Sequence, residues 1–474
     1  MKKFDRDKYL KKLNFKRNLT KYGKYFYIGI PCLMITILGI YFAYSKFSVS
    51  KEEEVVRTTV GDFISGDDVI GAYIDGEYSN TIPGKNDGYV VKSVSCDNNA
   101  TGSWDNDAWG IVLTNMTKRT KCNVYFETKK PSLTETITTA MSNNPSMFAT
   151  DDPGKNVRYI GADPSNYVYF NCSDYSNPTV DTCELWRIIG VFNNVTKSDG
   201  SKENLVKIIR ADSLGNYSWD YKKNGVGTST SDYASNDWSD SQLMMMLNPT
   251  NYLKSGYTNS SDIISLGSQQ LYSKMGSYYN GTKGCKPAEV ASGTSFSCTE
   301  VDFTSTGLKN DTTRNAIEEV VWNLGGTSSY TSASNGLASH FYGYERGTTV
   351  YTGRPTAWTG KIGLMYPSDY GYATSGGTTK DRAACLAKDF YHWGPSDFSD
   401  CKDNDYLYNS SLNQWTLAPY SDNASLVFFV FSDGGVGSRS ANDTFGVRPT
   451  LFMKSSISVV DGNGTSTSPY KLEM

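Results

Sequence analysis

Histidine is scarce in this chain, which has only His340 and His392 among 474 residues. No Cys-x-x-Cys pair occurs either. Structural zinc sites are built from cysteine and histidine at short spacings, so the sequence argues against a zinc centre. A Ser-His-Asp triad would need one of the two histidines. We interpret both as surface or packing residues.

The chain also lacks the motifs of several enzyme classes. It has no Gly-x-Ser-x-Gly elbow, no Walker A loop, no His-Glu-x-x-His helix and no Gly-x-Gly-x-x-Gly turn after a strand. Acidic and amide side chains cluster at 236–240 and 403–405, but neither cluster fits the EF-hand template. We therefore predict no metal and no cofactor. Calcium bound by these loops is the alternative.

Positive charge is scarce outside the first 24 residues. The tail 1–24 carries ten Lys and Arg against Asp5 and Asp7, whereas the rest of the chain has 36 Lys and Arg against 47 Asp and Glu. Binding to a phosphate backbone needs a basic footprint. The sequence therefore predicts no nucleic-acid partner, and the basic tail is better suited to anionic lipid.

An uncharged apolar run covers residues 25–45 and follows the basic tail directly. A helix of this length spans roughly the 30 Å of a bilayer core. The positive-inside rule then keeps the N-terminus in the cytoplasm. We predict a single-pass transmembrane helix and a cell-membrane localisation, with the C-terminal domains extracellular. The alternative is a signal peptide cleaved near Ala43-Tyr44-Ser45.

Nine cysteines occur, and all except Cys32 lie beyond the apolar run. An even number of cysteines in an oxidising compartment indicates disulfides. Their sequence spacing groups them locally, and each short bridge would contribute roughly 3 kcal/mol. The predicted pairs are Cys96 with Cys122, Cys172 with Cys183, Cys285 with Cys298, and Cys385 with Cys401.

Composition changes along the chain indicate several segments after the apolar run. Residues 46–70 form a charged stalk, and 71–130 contain short alternating stretches that predict a small β-sandwich-like domain. Residues 131–154 predict a linker with one short helix, with a plain linker as the alternative. The remaining residues, 155–474, form the large domain.

The large domain mixes strand and helix patterns. Apolar spacing predicts helices over Asp311–Leu324, Ser239–Leu247 and Asp381–Phe390, the second with Ser239 and Gln242 as a capping box. Apolar runs predict strands around Trp186–Val191 and Leu205–Ile209. Asp433-Gly434 predicts a hairpin turn. We therefore predict an α+β fold class.

Five segments of the large domain carry a resemblance to known proteins. They are 184–190, 344–347, 358–372, 414–419 and 445–449, the last reading Phe-Gly-Val-Arg-Pro. Together they resemble an uncharacterised bacterial surface-protein family whose C-terminal domain is similar to the C-type-lectin-like and formylglycine-generating-enzyme fold group. The resemblance implies a lectin-like α+β domain over 155–474. The sugar-calcium motif of true C-type lectins is absent.

The closing strands supply the candidate binding residues. This region mixes aromatic faces with adaptable polar groups, a composition found in many recognition surfaces. The candidate binding residues are Tyr420, Asp422, Asn423, Arg439 and Asn442. Three further residues, Trp186, Trp415 and Arg448, are predicted to be structural.

Because the sequence lacks the catalytic motifs named above, we favour a binding protein over an enzyme. We predict a membrane-anchored extracellular ligand-binding protein, adhesin-like, with a glycan or protein ligand. One alternative is a cell-envelope enzyme, either a glycan hydrolase or an oxidase on a formylglycine-generating scaffold, because fold alone does not decide function. In the oxidase, Cys385 and Cys401 would bind copper. The other alternative is a structural envelope protein.

Overall fold

The structure is a computed structural model that describes residues 69–115, 120–220, 235–248, 283–285, 300–302, 308–394 and 396–474. The chain divides into two compact units, Met1–Lys129 and Lys130–Met474. Each unit contains a hydrophobic core of its own.

The described part of the first unit is a sheet and a separate hairpin. Its strands are β1 (Val69–Ile74), β2 (Glu77–Ser79), β3 (Tyr89–Cys96), β4 (Thr101–Asp105), β5 (Gly110–Thr114) and β6 (Lys121–Thr128). The sheet has the order β2-β1-β6-β3, with β1 parallel to β6, and β4 pairs with β5. Alternate residues Cys122, Val124 and Phe126 of β6 are buried, the period of a strand with one covered face.

The second unit continues the strand series. Its strands are β7 (Phe148–Ala149), β8 (Val157–Tyr159), β9 (Tyr167–Phe170), β10 (Glu184–Thr196), β11 (Lys202–Arg210), β12 (Asn216–Ser218), β13 (Lys283–Cys285), β14 (Glu300–Asp302), β15 (Val320–Asn323), β16 (Ala357–Gly360), β17 (Ile362–Leu364), β18 (Gln414–Pro419), β19 (Leu426–Val430), β20 (Val436–Ser440), β21 (Thr444–Gly446), β22 (Pro449–Met453), β23 (Ser458–Asp461) and β24 (Lys471–Glu473).

The helices that the structure describes in the second unit are short. The α-helices are α1 (Leu133–Asn143), α2 (Gln242–Leu247), α3 (Asp311–Ala316), α4 (Ala338–Glu345), α5 (Pro367–Gly371), α6 (Arg382–Leu386) and α7 (Ser399–Asp403). Single turns of 3-10 helix cover Pro145–Met147, Trp238–Asp240, Phe390–His392 and Ser396–Phe398. A capping box starts α1, where Ser132 and Glu135 each bond the other's backbone amide.

Two larger sheets organise the second unit. One has the order β17-β22-β11-β10-β8-β7, with β9 also paired to β10. The other has the order β12-β21-β18-β19-β20. The centre of the first sheet is covered on both faces, because consecutive residues 186–192 of β10 and 205–209 of β11 are all buried. Both segments are strands, as their sequences predict, and the structure shows that these segments are buried.

The predicted α+β fold class is wrong, because the protein is mostly β, with 38% strand against 17% helix. The region 311–324 shows the reason. Helix α3 ends at Ala316, and Val320–Asn323 is strand β15, paired with β16. The two adjacent valines favour an extended backbone. At the C-terminal end of this region, residues 317–324, the spacing of the apolar residues fits a strand as well as it fits a helix.

The other two predicted helices are also shorter than expected. Ser239 lies in a 3-10 turn, and the side chain of Ser241 caps α2 by accepting a hydrogen bond from the Met244 amide. Asp381 is the N-cap of α6, but that helix ends at Leu386. Much of the sequence assigned to helix is therefore loop.

The predicted single-pass membrane protein is not supported by the structure. In the part of the chain that the structure describes, no helix is long and apolar enough to cross a membrane. The longest of these helices, α1, has 11 residues, whereas a span needs about 20. The predicted span, 25–45, and the tail lie outside the described residues, and so does the predicted stalk up to residue 68. The predicted cell-membrane localisation is withdrawn.

Three of the four predicted disulfides are confirmed. Cys96 pairs with Cys122, Cys172 with Cys183, and Cys385 with Cys401. The first bridge joins directly opposed residues of β3 and β6. The fourth predicted pair, Cys285 with Cys298, stays a prediction because Cys298 lies outside the described residues.

Candidate functional site

Three tyrosines from separate parts of the second unit meet over one face of the β18–β20 sheet. Tyr330 lies in the loop after β15, Tyr391 in the 3-10 turn 390–392, and Tyr420 directly after β18. The Tyr330 ring centroid lies 6.1 Å from that of Tyr391 and 6.2 Å from that of Tyr420, both edge to face. We call this surface, formed by Tyr330, Tyr391 and Tyr420, the tyrosine face.

The tyrosine face rests on the buried ring of Phe428 in β19. Phe428 is fully buried, and its ring centroid lies 4.9 Å from Tyr330 at an interplanar angle of 89°. Phe428 is paired with Ser438 of β20, and the Ser438 hydroxyl lies 3.4 Å from that of Tyr330. Edge-to-face aromatic pairs contribute about 0.5–1.5 kcal/mol beyond burial. The sheet therefore holds the Tyr330 ring in a defined orientation.

The three rings differ in exposure. Tyr391 is 47% exposed, whereas Tyr330 and Tyr420 are half-buried. The Tyr420 hydroxyl donates to the carbonyl oxygen of Ser328 at 2.8 Å. Burial raises the pKa of Tyr420, and the neighbouring Tyr330 and Asp422 act in the same direction. Tyr420 is therefore a neutral phenol at neutral pH.

Close backbone approach joins the Tyr330 loop to the end of β18. Thr327 forms a parallel bridge with Tyr420, and the Ser421 amide donates to the Thr327 carbonyl. A Cβ on Gly326 would lie only 1.9 Å from the Pro419 carbonyl oxygen. Only glycine permits this approach, so Gly326 fixes the position of the loop that carries Tyr330.

The buried amide of Asn236 organises the turn after Tyr420. Its Nδ2 atom donates to the carbonyl oxygens of Tyr420 and Asn423, both at 2.8 Å, and to that of Leu426 at 3.1 Å. Its Oδ1 atom accepts from Nε of Arg354 at 3.2 Å. An amide that satisfies several backbone carbonyls fixes a turn. The loop predicted to carry binding residues is therefore preorganised.

The turn places two of the predicted binding residues beside the tyrosine face. Asp422 and Asn423 are both exposed and lie two and three residues after Tyr420. The Asn423 side chain accepts from the amide and the hydroxyl of Ser425, both at 2.9 Å. Asp422 therefore presents an exposed carboxylate next to the tyrosine rings, while Asn423 shapes the turn.

Arg439 and Asn442 are placed differently. Arg439 follows Ser438 in a regularly paired strand, so alternation directs the two side chains to opposite faces of the sheet. Arg439 therefore lies on the face opposite to Phe428 and Tyr330. Asn442 is half-buried, and its carbonyl oxygen accepts from the Ser218 hydroxyl at 2.9 Å. The five predicted residues thus share one end of a hairpin but do not form one surface.

Comparisons of the chain with family models, with curated proteins and with solved structures find no match. The resemblance to the lectin-like group therefore stays a prediction.

Sequence reasoning missed Tyr330 and Tyr391. The chain contains 34 tyrosines, so no tyrosine stands out by its type. Tyr330 lies in a Ser- and Thr-rich loop, a composition typical of exposed segments. Only the tertiary structure brings it between Tyr391 and Tyr420.

The residues predicted to be structural are buried. Trp415 is 1% exposed, and its indole nitrogen donates to the Tyr217 carbonyl at 2.8 Å. Trp186 is 2% exposed and packs edge-on against Phe170. Arg448 donates to the Arg210 and Leu407 carbonyls and to Oε1 of Gln414. Burial lowers the pKa of Arg448 to about 10.

In the acidic loops considered for calcium, the carboxylates of Asp237, Asp403 and Asp405 each bond to a neighbouring group of the protein through one oxygen. Oδ1 of Asp237 accepts from the amide and hydroxyl of Ser239, and Asp403 pairs with Lys402. Asp405 is buried, with one oxygen bonded to the Leu407 amide. Within the described ranges, no three His, Cys, Asp or Glu side chains group as metal ligands.

The cysteines considered for copper are also engaged. Cys385 and Cys401 are both fully buried and joined in a disulfide. A disulfide sulfur is not a thiolate ligand. The pair as it stands therefore does not offer the copper site that the oxidase alternative needs.

Proposed function

We propose that this protein is a recognition protein that binds a glycan through the tyrosine face. The observation that carries the proposal is the chain of ring contacts from Tyr391 through Tyr330 to Tyr420, anchored on Phe428 and still open to solvent at Tyr391. Tyrosines supply large contact area at a low cost in conformational entropy.

The chemistry of this surface suits a sugar. Tyrosine has an apolar ring body and a polar hydroxyl, so it can stack on the C–H face of a sugar ring and hydrogen bond to its hydroxyls. The exposed Asp422 carboxylate beside Tyr420 adds an acceptor. The predicted likeness to lectin-like domains agrees with this ligand class. The main alternative is that the ligand is a protein.

Rigidity supports the same proposal. Gly326, Asn236 and Phe428 fix the segments that carry the rings, so little order has to be gained on binding. Preorganisation of this kind raises affinity without adding contacts. The three disulfides among the described residues are typical of proteins in oxidising environments.

A glycan array probed with the oxidised full chain tests the proposal. We expect selective binding, and we expect Tyr391→Ala to weaken it at least tenfold, or about 1.4 kcal/mol. The matched control is Tyr78→Ala in the first unit, where the tyrosine is 63% exposed. The control should bind as the parent does.

The same array shows whether the ligand binds at the tyrosine face or at Arg439 and Asn442, the predicted binding residues at the end of the hairpin. Arg439→Ala and Asn442→Ala change residues that do not belong to the tyrosine face. If these two variants lose binding while Tyr391→Ala keeps it, the site is at the hairpin end. Selective binding to a protein and to no glycan would overturn the ligand class.

A further inference from the structure

A cleft in the second unit lies between β10, β11, β15, α4 and β22. This cleft has a volume of about 130 Å³, and Lys207, Trp322, Asn323, Tyr342, Arg346 and Tyr366 are among its lining residues. We call it the Lys207 cleft. It shares no residue with the tyrosine face. Its size leaves room for several ordered waters and so for a small organic ligand.

The lining of the cleft carries charge of one sign only. It contains the cations Lys207 and Arg346 and no Asp or Glu. The balancing carboxylates stand behind the lining. Asp369 Oδ2 accepts from Lys207 Nζ at 2.5 Å, and Glu345 Oε2 accepts from Arg346 Nη1 at 3.0 Å. The lining of the cleft therefore offers hydrogen-bond donors and positive charge to a ligand.

Lys207 forms the floor of the cleft. Its side chain is 1% exposed, and its ammonium lies 4.5 Å from the ring centroid of Tyr366 and 5.4 Å from that of Trp322. Ring faces attract a cation at these distances. Burial lowers the pKa of Lys207 to about 8, so most of the ammonium stays charged at neutral pH.

Arg346 stands at the rim with its side chain 27% exposed. Its guanidinium carbon lies 3.5 Å from the Tyr342 ring centroid, and Nη1 donates to the Tyr342 carbonyl and to Glu345. Within the part of the chain that the structure describes, Nε and Nη2 make no hydrogen bond. Stacking holds the guanidinium plane while these donors stay available for a ligand.

We propose that the Lys207 cleft binds a small carboxylate, which the guanidinium fork of Arg346 receives and the Lys207 charge attracts. A guanidinium fork matches a carboxylate through paired N–H···O bonds. Lys207 is already paired with Asp369 and Arg346 with Glu345, so little excess positive charge is left for the ligand. A monoanion therefore fits the cleft better than a dianion. The aromatic walls at Trp322, Tyr342 and Tyr366 suit an acid with a flat or ring-shaped body.

Isothermal titration of the oxidised full chain tests the proposal. The probes are D-glucuronate and benzoate, with D-glucose and inorganic phosphate for comparison. We expect saturable binding of at least one of the two acids, weaker binding of phosphate and none of glucose. Binding of glucuronate alone identifies a sugar acid, and binding of benzoate alone an aromatic acid, as the source of the carboxylate.

Three variants locate the binding. Arg346→Gln should weaken binding of the acid at least tenfold. Asn323→Asp, a change of nearly equal volume that adds a carboxylate to the lining, should also weaken it severalfold while the melting temperature stays near that of the parent. Arg439→Gln removes the same charge from an exposed arginine outside the cleft and should bind as the parent does.

Several outcomes would overturn the carboxylate site. They are no binding of either acid, phosphate binding tighter than both, or parental affinity in the Arg346→Gln and Asn323→Asp variants. Glycan binding by the tyrosine face is measured separately with Tyr391→Ala. Failure of one proposal therefore leaves the other intact.

Discussion

Glu345 is a fully buried acid with three hydrogen-bond donors around it. Its Oε1 atom accepts from the Ser368 amide at 2.9 Å, and Oε2 accepts from the Ser368 hydroxyl and from Arg346. Burial raises its pKa to about 7 from an ordinary value of 4.5, although Arg346 acts in the opposite direction. Glu345 therefore holds a proton in the folded state at pH values where the unfolded chain has lost it.

This difference makes stability depend on pH. The stabilising effect of the proton is fully present below about pH 4.5 and is lost as the pH rises to about 7. The free energy of unfolding should fall over this window by roughly 3 kcal/mol at most. In Glu345→Gln, which cannot titrate, this part of the pH dependence should be absent. Urea denaturation at both ends of the window measures it.

An exposed glutamate gives the matched control. The Glu473 side chain is 51% exposed, so Glu473→Gln should keep the parental pH dependence. If Glu345→Gln shows the same fall in unfolding free energy as the parent, another group causes it. The assignment of the proton to Glu345 would then be wrong.

At the level of elements, the features read correctly from the sequence are local. The runs 186–192 and 205–209 are apolar except for Arg187 and Lys207, and both are buried strand segments. The Asp433-Gly434 turn follows from backbone chemistry, because Gly434 has φ of +95° and closes the β19–β20 hairpin. Three disulfides follow from short spacing in sequence. None of these needs knowledge of distant contacts.

The features read wrongly depend on tertiary pairing. Residues 317–324 have apolar spacing that fits a helix, but pairing of Val320–Asn323 with β16 decides for a strand. The candidate site also depends on contacts between residues that are distant in the sequence. Tyr420 was predicted from its place beside a hairpin, whereas Tyr330 and Tyr391 join it only through the packing of two distant loops. Single-sequence patterns do not encode those contacts.

The Cys385–Cys401 disulfide bears on the site because the loop it closes contains the 3-10 turn with Tyr391. Replacing both cysteines with serine should lower the free energy of unfolding by roughly 3 kcal/mol on the chain-entropy model. It should also weaken glycan binding, since Tyr391 loses a constraint on its position. Denaturant titration and array binding measure the two effects.

Cys172–Cys183 offers the matched control. It closes a loop of similar length in the same unit, and that loop carries no residue of the tyrosine face. Its removal should cost about 3 kcal/mol as well but leave binding unchanged. Equal binding losses in the two double variants would mean that general destabilisation, and not the position of Tyr391, is responsible.

At the scale of the whole molecule, each of the two units has a main hydrophobic core of its own among the residues that the structure describes. The first unit is built around residues such as Val124 and Phe126, and the second around the buried strands β10 and β11. Separate cores commonly unfold as separate cooperative units. Calorimetry of the full chain should therefore show two transitions. Cys96→Ser with Cys122→Ser should lower only one of them, because that bridge lies entirely within the first unit.

The double variant lacking Cys172–Cys183 should lower the other transition. A single transition that both double variants shift equally would show that the two units unfold as one. The tyrosine face, which lies wholly in the second unit, should follow the stability of that unit alone.

Hydroxyl-radical footprinting of the full chain, with and without a glycan identified on the array, tests recognition by the tyrosine face most directly. Tyr391 is exposed and should be oxidised readily in the free protein. At saturating glycan its oxidation rate should fall severalfold, while the rate at the exposed Tyr78 stays unchanged. An unchanged rate at Tyr391 in the saturated protein would contradict glycan binding at this surface.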